Sequence, residues 1–227
     1  MIKKEQAQII YLILAALFIA SLVASNLIFQ KFIYWNPFGW YRFEISVGLL
    51  PYPLTFLITD ILSEIYGRQK ANQVVIAGIF ASFFSIAIIL IADFAPAIEN
   101  SPINNTTFHQ VFGLSPLAVL ASMIAYLFAQ LIDIRIFHFW KKITKGRHLW
   151  LRNNFSTFVS QFIDTFIVLT LLCSFDILPW DIFTNLLISG FLFKVIFAAF
   201  DTPIIYAIVF WFRSHFNLQI KDTLKIS

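Results

Sequence analysis

The chain has 227 residues, 59% of them hydrophobic and only 12% charged, with a formal net charge of +4. Soluble domains of this size carry about a quarter charged residues, so this composition, with a mean hydropathy of +0.81, excludes a soluble globular fold and predicts an all-α integral membrane protein. The single cysteine, Cys173, excludes an intrachain disulfide.

Six spans are expected along one polytopic domain, residues 1–227. Helix 1 covers residues 7–29 and is too long for a removed leader. Ser21, Ser25, Asn26 and Gln30 make its second half polar on one side. Residues 31–44 form a loop rich in Tyr34, Trp35, Phe38, Trp40 and Tyr41, as in an interfacial aromatic belt. Helix 2 covers residues 45–66, either kinked by Pro51 and Pro53 or regular only from Leu54 onward. Helix 3 covers residues 72–93. Ser115 followed by Pro116 is a helix start, a cap and then a proline at the first helical position, and helix 4 runs on to 138 or 139. Helix 5 covers residues 154–175, and Asn153, Thr157, Ser160, Gln161 and Asp164 make a polar stripe at its head. Helix 6 covers residues 183–212.

The loop charges orient these spans. Lys3, Lys4, Arg68, Lys70, Lys141, Lys142, Lys145, Arg147, Arg152, Arg213, Lys221 and Lys225 fall on the side of the termini, and only Lys31 and Arg42 on the other. Positive residues accumulate on cytoplasmic loops, so both termini are expected to be cytoplasmic. Arg135 and Lys194 lie within spans.

Five acids also lie within spans: Asp60, Glu64, Asp133, Asp164 and Asp201. Each carboxylate at membrane depth costs about 2.5–3.5 kcal/mol on insertion scales. Asp60 and Glu64 share one face of helix 2, four residues apart. Two assignments stay open for Glu64, a place in a cavity or a pair with Arg68 at i+4. Asp133 either lines the cavity or snorkels to the membrane surface. Lys194 pairs with one acid, Asp201 seven residues on being a candidate. Five acids against two cations call for protonation, water or a cationic cargo. Asn26, Gln130 and Gln161 add groups that both donate and accept. Carboxylates, carboxamides and aromatic faces together suit a flat, hydrogen-bonding heterocycle.

No metallopeptidase, nucleophile-elbow, phosphate-loop or paired-cysteine motif is present, and His109, His138, His148 and His215 are scattered. No metal, cofactor or nucleic-acid partner is expected. An intramembrane acid-pair enzyme is the remaining enzymatic alternative.

The stretch YPLTFLITDILSEIYGRQKA, with ASNLIFQKF before it, resembles the queuosine precursor transporter family, the vitamin uptake transporter-like proteins. The matching residues are Pro53, Leu54, Thr55, Thr59, Asp60, Glu64, Tyr66 and Gly67. The resemblance implies an inner-membrane importer of 7-deazaguanines such as preQ0 and preQ1 for tRNA-modification salvage in bacteria, with or without proton coupling. It also admits the substrate-binding membrane subunit of an energy-coupling-factor-type vitamin transporter. The expected partners are that small molecule and the bilayer, with homo-oligomerisation left open. Asn26, Asp60, Glu64, Gln130, Asp133, Gln161, Asp164, Lys194 and Asp201 are the expected substrate-binding set.

Overall fold

The structure is a computed structural model of the whole chain, in which residues 2–29, 31–36, 39, 42–113, 116–145, 147–219 and 222–224 are described. Ser115, Gln30, Phe38, Trp40, Tyr41, Lys221 and Lys225, on which parts of the sequence reading fall, lie outside them. In chain order the elements are α1 (Ile2–Ile28), a hairpin of β1 (Phe32–Trp35) and β2 (Phe43–Ser46), a 3-10 turn (Val47–Leu49), α2 (Tyr52–Ile65) and α3 (Arg68–Phe94). Then come the short α4 (Asn105–Phe108), a π turn (His109–Gly113), α5 (Pro116–Ile143), α6 (Leu149–Ser174), a 3-10 turn (Trp180–Ile182) and α7 (Phe183–Phe216).

Among the described residues, five helical stretches are long and apolar enough to cross a membrane: Lys4–Ile28, Arg68–Phe94, Leu120–Ile143, Leu149–Ser174 and Trp180–Phe216. Their outward faces carry exposed Leu12, Phe80, Phe84, Phe200 and Phe210, the apolar coat that lipid requires. Helix α2 is different. It has 14 residues, about 21 Å at 1.5 Å per residue, against a hydrocarbon core of about 30 Å.

The helix expected over residues 45–66 therefore begins later. Ile45 belongs to β2, and the Ser46 side chain accepts a hydrogen bond from Gly48 N at 3.1 Å, capping a 3-10 turn. Pro51 and Pro53 lack an N–H, so a helix can hold them only at its start, where first-turn N–H groups have no partner anyway. Pro51 is accordingly the N-cap and Tyr52 the first helical residue. Gly67, at φ +86°, then turns the chain into α3 within a residue, a conformation that a side chain would strain.

Twelve of the 14 residues of α2 are buried. The helix packs against α1, α3, α5 and α7, while α5 and α6 form the most extensive pair. Phe56, Ile58 and Ile61 of α2 meet Phe18, Tyr126 and Phe137 in the main apolar core. At one end of α2, Tyr66 donates to the Ala7 carbonyl at 2.8 Å, and Leu224 N in the tail donates to the Ile65 carbonyl at 2.7 Å. At the other, Gly48 lies so close to the end of α1 that a Cβ would come within 2.7 Å of the Ser25 carbonyl oxygen. So α2 runs antiparallel to α1, from a hairpin face to a termini face.

The segment read as an aromatic loop is in part a hairpin, with Phe32 opposite Ser46, Ile33 opposite Ile45, Tyr34 opposite Glu44 and Trp35 opposite Phe43. Trp35 docks it on α7, its ring 5.1 Å from that of Phe193 and 5.8 Å from that of Phe197. Trp35 is thus a packing residue of the hairpin.

Candidate functional site

Helix α2 carries polar groups at three levels, and each meets a different neighbour. At its first residue, the Tyr52 hydroxyl donates to Asp164 Oδ1 on α6 at 3.0 Å. The other Asp164 oxygen lies 2.5 Å from Lys194 Nζ on α7, and Lys194 also donates to Thr165 Oγ1 at 3.0 Å. Its ammonium sits 4.8 Å from the centre of the Tyr52 ring, within cation–π range. Asp164 and Lys194 are 3% and 5% exposed. A pair this buried repays its desolvation only when further hydrogen bonds engage both ions, and Tyr52 and Thr165 supply them. Lys194 therefore pairs with Asp164 rather than with Asp201. Seven residues along one helix separate groups by about 10.5 Å of rise, whereas α6 faces Lys194 directly.

This cluster forms the inner wall of a cavity of about 150 Å³ beneath the hairpin. Its polar lining includes Asn26, Glu44, Tyr52 and Thr165; its apolar wall includes Val168, Leu169, Leu172 and Leu186. Ser25 Oγ and Asn26 Nδ2 are buried in this lining without hydrogen-bond partners among the described residues. Such atoms cost about 1–3 kcal/mol each if nothing meets them. A neighbouring void of about 10 Å³, room for one water, touches Thr157, Gln161, Lys194 and Asp201.

At the middle level Asp133 of α5 lies against Asp60, and Asp133 Oδ1 accepts from Ser160 Oγ at 2.9 Å. Asp133 is fully buried, so it does not snorkel. Gln130 Nε2 donates to Thr59 Oγ1, and Gln130 Oε1 and Gln161 Oε1 are buried without partners among the described residues.

At the termini face Glu64, 1% exposed, is held from two sides. Lys141 Nζ of α5 lies 2.9 Å from one carboxylate oxygen, and Arg213 of α7 binds the other. Lys141 also donates to the Glu64 carbonyl at 3.2 Å. Arg68, the i+4 partner in one of the two assignments open for Glu64, lies exposed on α3. Glu64 thus clamps the end of α2 to α5 and α7.

Residues 46–208 match the family model described as "Putative vitamin uptake transporter". The chain belongs to that family of transporters. A relative from Bacillus subtilis (strain 168), named "Probable queuosine precursor transporter", is 33% identical over 165 residues, 71% of this chain and 70% of the relative. No solved structure matches. The family match covers α2, α5, α6 and most of α7, hence every expected site residue except Asn26, which precedes it on α1.

Of those expected residues, the structure brings Asn26, Asp164 and Lys194 to the large cavity, Gln161 and Asp201 to the adjoining void, and Asp60, Gln130 and Asp133 to the buried middle layer. Glu64 stands apart in its clamp. Sequence reasoning missed Tyr52, Thr165 and Glu44 at the cavity, and Lys141 and Arg213 as partners of Glu64; Ser25 it placed on the polar side of helix 1 but not in the binding set. Tyr52 heads the family stretch eight residues before Asp60, a spacing near two helical turns that could have placed it on the same side. Glu44 had a weaker signal, an acid beside a predicted aromatic belt.

Proposed function

We propose that this transporter imports queuosine precursors, 7-deazaguanines such as preQ0 and preQ1, across the bacterial inner membrane for tRNA-modification salvage. The observation that carries this reading is the cavity. Its unpartnered donors on Ser25 and Asn26 suit the carbonyl and ring acceptors of a deazaguanine, and its leucine wall suits the flat face. The name of the Bacillus subtilis relative supports the same cargo.

The hairpin, the 3-10 turn and α2 together make a sixth crossing between α1 and α3. The excess of Lys and Arg at the termini face supports placing that face in the cytoplasm. With the cavity beneath the hairpin and Glu64 clamped at the far end, this is the outward-facing arrangement of the cycle. In this reading Asp60 and Asp133 carry the coupling proton, which is loaded from outside and released inside. Glu64 is the inner latch, and opening it frees the cytoplasmic end of α2.

Uptake of labelled preQ0 and preQ1 tests this in salvage-dependent cells and in liposomes holding the purified chain alone. Wild-type uptake should rise with an inward proton gradient, and Asp60→Asn should remove that rise at unchanged protein level. Absence of transport in liposomes lacking any ATPase partner would overturn a self-sufficient importer, and gradient-independent wild-type uptake would overturn the coupling.

A further inference from the structure

The charges around the cavity do not cancel. Its charged lining residues are Glu44, Asp164 and Lys194. Asp164 and Lys194 neutralise each other, and Tyr52 and Thr165 take up their remaining bonds. That leaves Glu44. It lies exposed on β2 and makes no ion pair among the described residues. Arg42, two residues earlier, does not line the cavity; its guanidinium carbon sits 3.4 Å over the Tyr34 ring.

The cavity lining therefore holds three kinds of group. Ser25 and Asn26 of α1 offer buried polar atoms without hydrogen-bond partners among the described residues. Glu44 of the hairpin adds a carboxylate. Leu169 and Leu172 of α6 and Leu186 of α7 make a low-dielectric wall, which strengthens any charge contact beside it. A ligand matching this lining has hydrogen-bond acceptors, a flat apolar body and a single positive charge.

Resting on the import reading above, we propose that Glu44 is a specificity-determining residue that recognises a protonated amine on the cargo. The transporter then prefers a deazaguanine with an aminomethyl arm, as in preQ1, over the neutral nitrile of preQ0. The hairpin is thereby part of the binding site as well as its cover. The distinction is one of charge, because the two heterocycles offer the same ring edge to Asn26 and Ser25.

The test is isothermal titration of preQ1 and of preQ0 into the full chain in lipid nanodiscs, for wild type, Glu44→Gln and Glu44→Asp. A charge-assisted hydrogen bond is the stronger kind, so Glu44→Gln should weaken preQ1 binding about tenfold or more while preQ0 changes less than about twofold. Glu44→Asp should keep a preference for preQ1. Equal loss of both ligands in Glu44→Gln, or no change in either, overturns the assignment of Glu44 and leaves the import reading standing. Wild-type protein that binds neither compound overturns both.

Discussion

Glu64→Gln is the substitution whose cost the structure defines best. The neutral amide keeps the shape and leaves Lys141 and Arg213 without their shared counter-charge. Breaking a buried ion pair from one side costs about 3–5 kcal/mol. The carboxylate side chain is wholly buried, but those of Lys141 and Arg213 are 13% and 22% exposed. Water thus relieves part of the stranded charge, and the expected loss is about 2–3 kcal/mol. Equilibrium unfolding of the detergent-solubilised protein by a denaturing detergent measures it. The triple replacement Glu64→Leu, Lys141→Met and Arg213→Met should recover most of the loss, because apolar residues of similar volume can replace a buried ion cluster. A Glu64→Gln cost below about 0.5 kcal/mol, the scale of an exposed pair, would refute the clamp.

Three further outcomes follow from the geometry. Tyr52→Phe removes one hydrogen bond to a charged acceptor, about 1.5–3 kcal/mol, and should lower preQ1 uptake about tenfold at normal protein level in a transport assay. Gly48→Ala pushes a methyl against the Ser25 carbonyl and Phe29 and should cost about 1–3 kcal/mol, read as a lower midpoint in thermal unfolding. Trp35→Ala releases the hairpin from Phe193 and Phe197, and proteolysis between β1 and β2 should accelerate while the helices stay resistant.

How much of this could be read from the chain depended on distance along it. Asp60 and Glu64 stood out because charge inside an apolar stretch is conspicuous, and the polar stripe from Asn153 to Asp164 showed for the same reason. Their partners did not. Glu64 meets a lysine 77 residues on and an arginine 149 residues on, and Lys194 meets an aspartate 30 residues back. Local rules offered Arg68 and Asp201, since i+4 and i+7 neighbours are all that one helix displays. Cross-helix pairing depends on how α2, α5, α6 and α7 rotate about their axes, which hydropathy does not encode. The start of α2 was blurred because the stretch from Ile45 to Leu50, apolar except for Ser46 and Gly48, runs through both strand and 3-10 turn. Only the two prolines marked the change.

The shortness of α2 also bears on how the protein is made. A stretch of about 21 Å bearing two carboxylates is a poor substrate for insertion on its own, whereas α1 and α3 are long and carry charged residues only at their ends. The emerging chain is therefore expected to commit α1 and α3 to the bilayer first, and α2 only as protein surrounds it, since twelve of its 14 residues are buried. Its carboxylates find their partners only after α5 and α7 arrive, near the end of synthesis. Nascent chains halted before residue 141 have no Lys141 or Arg213 to receive Glu64, so the last helices to leave the ribosome complete one of the first.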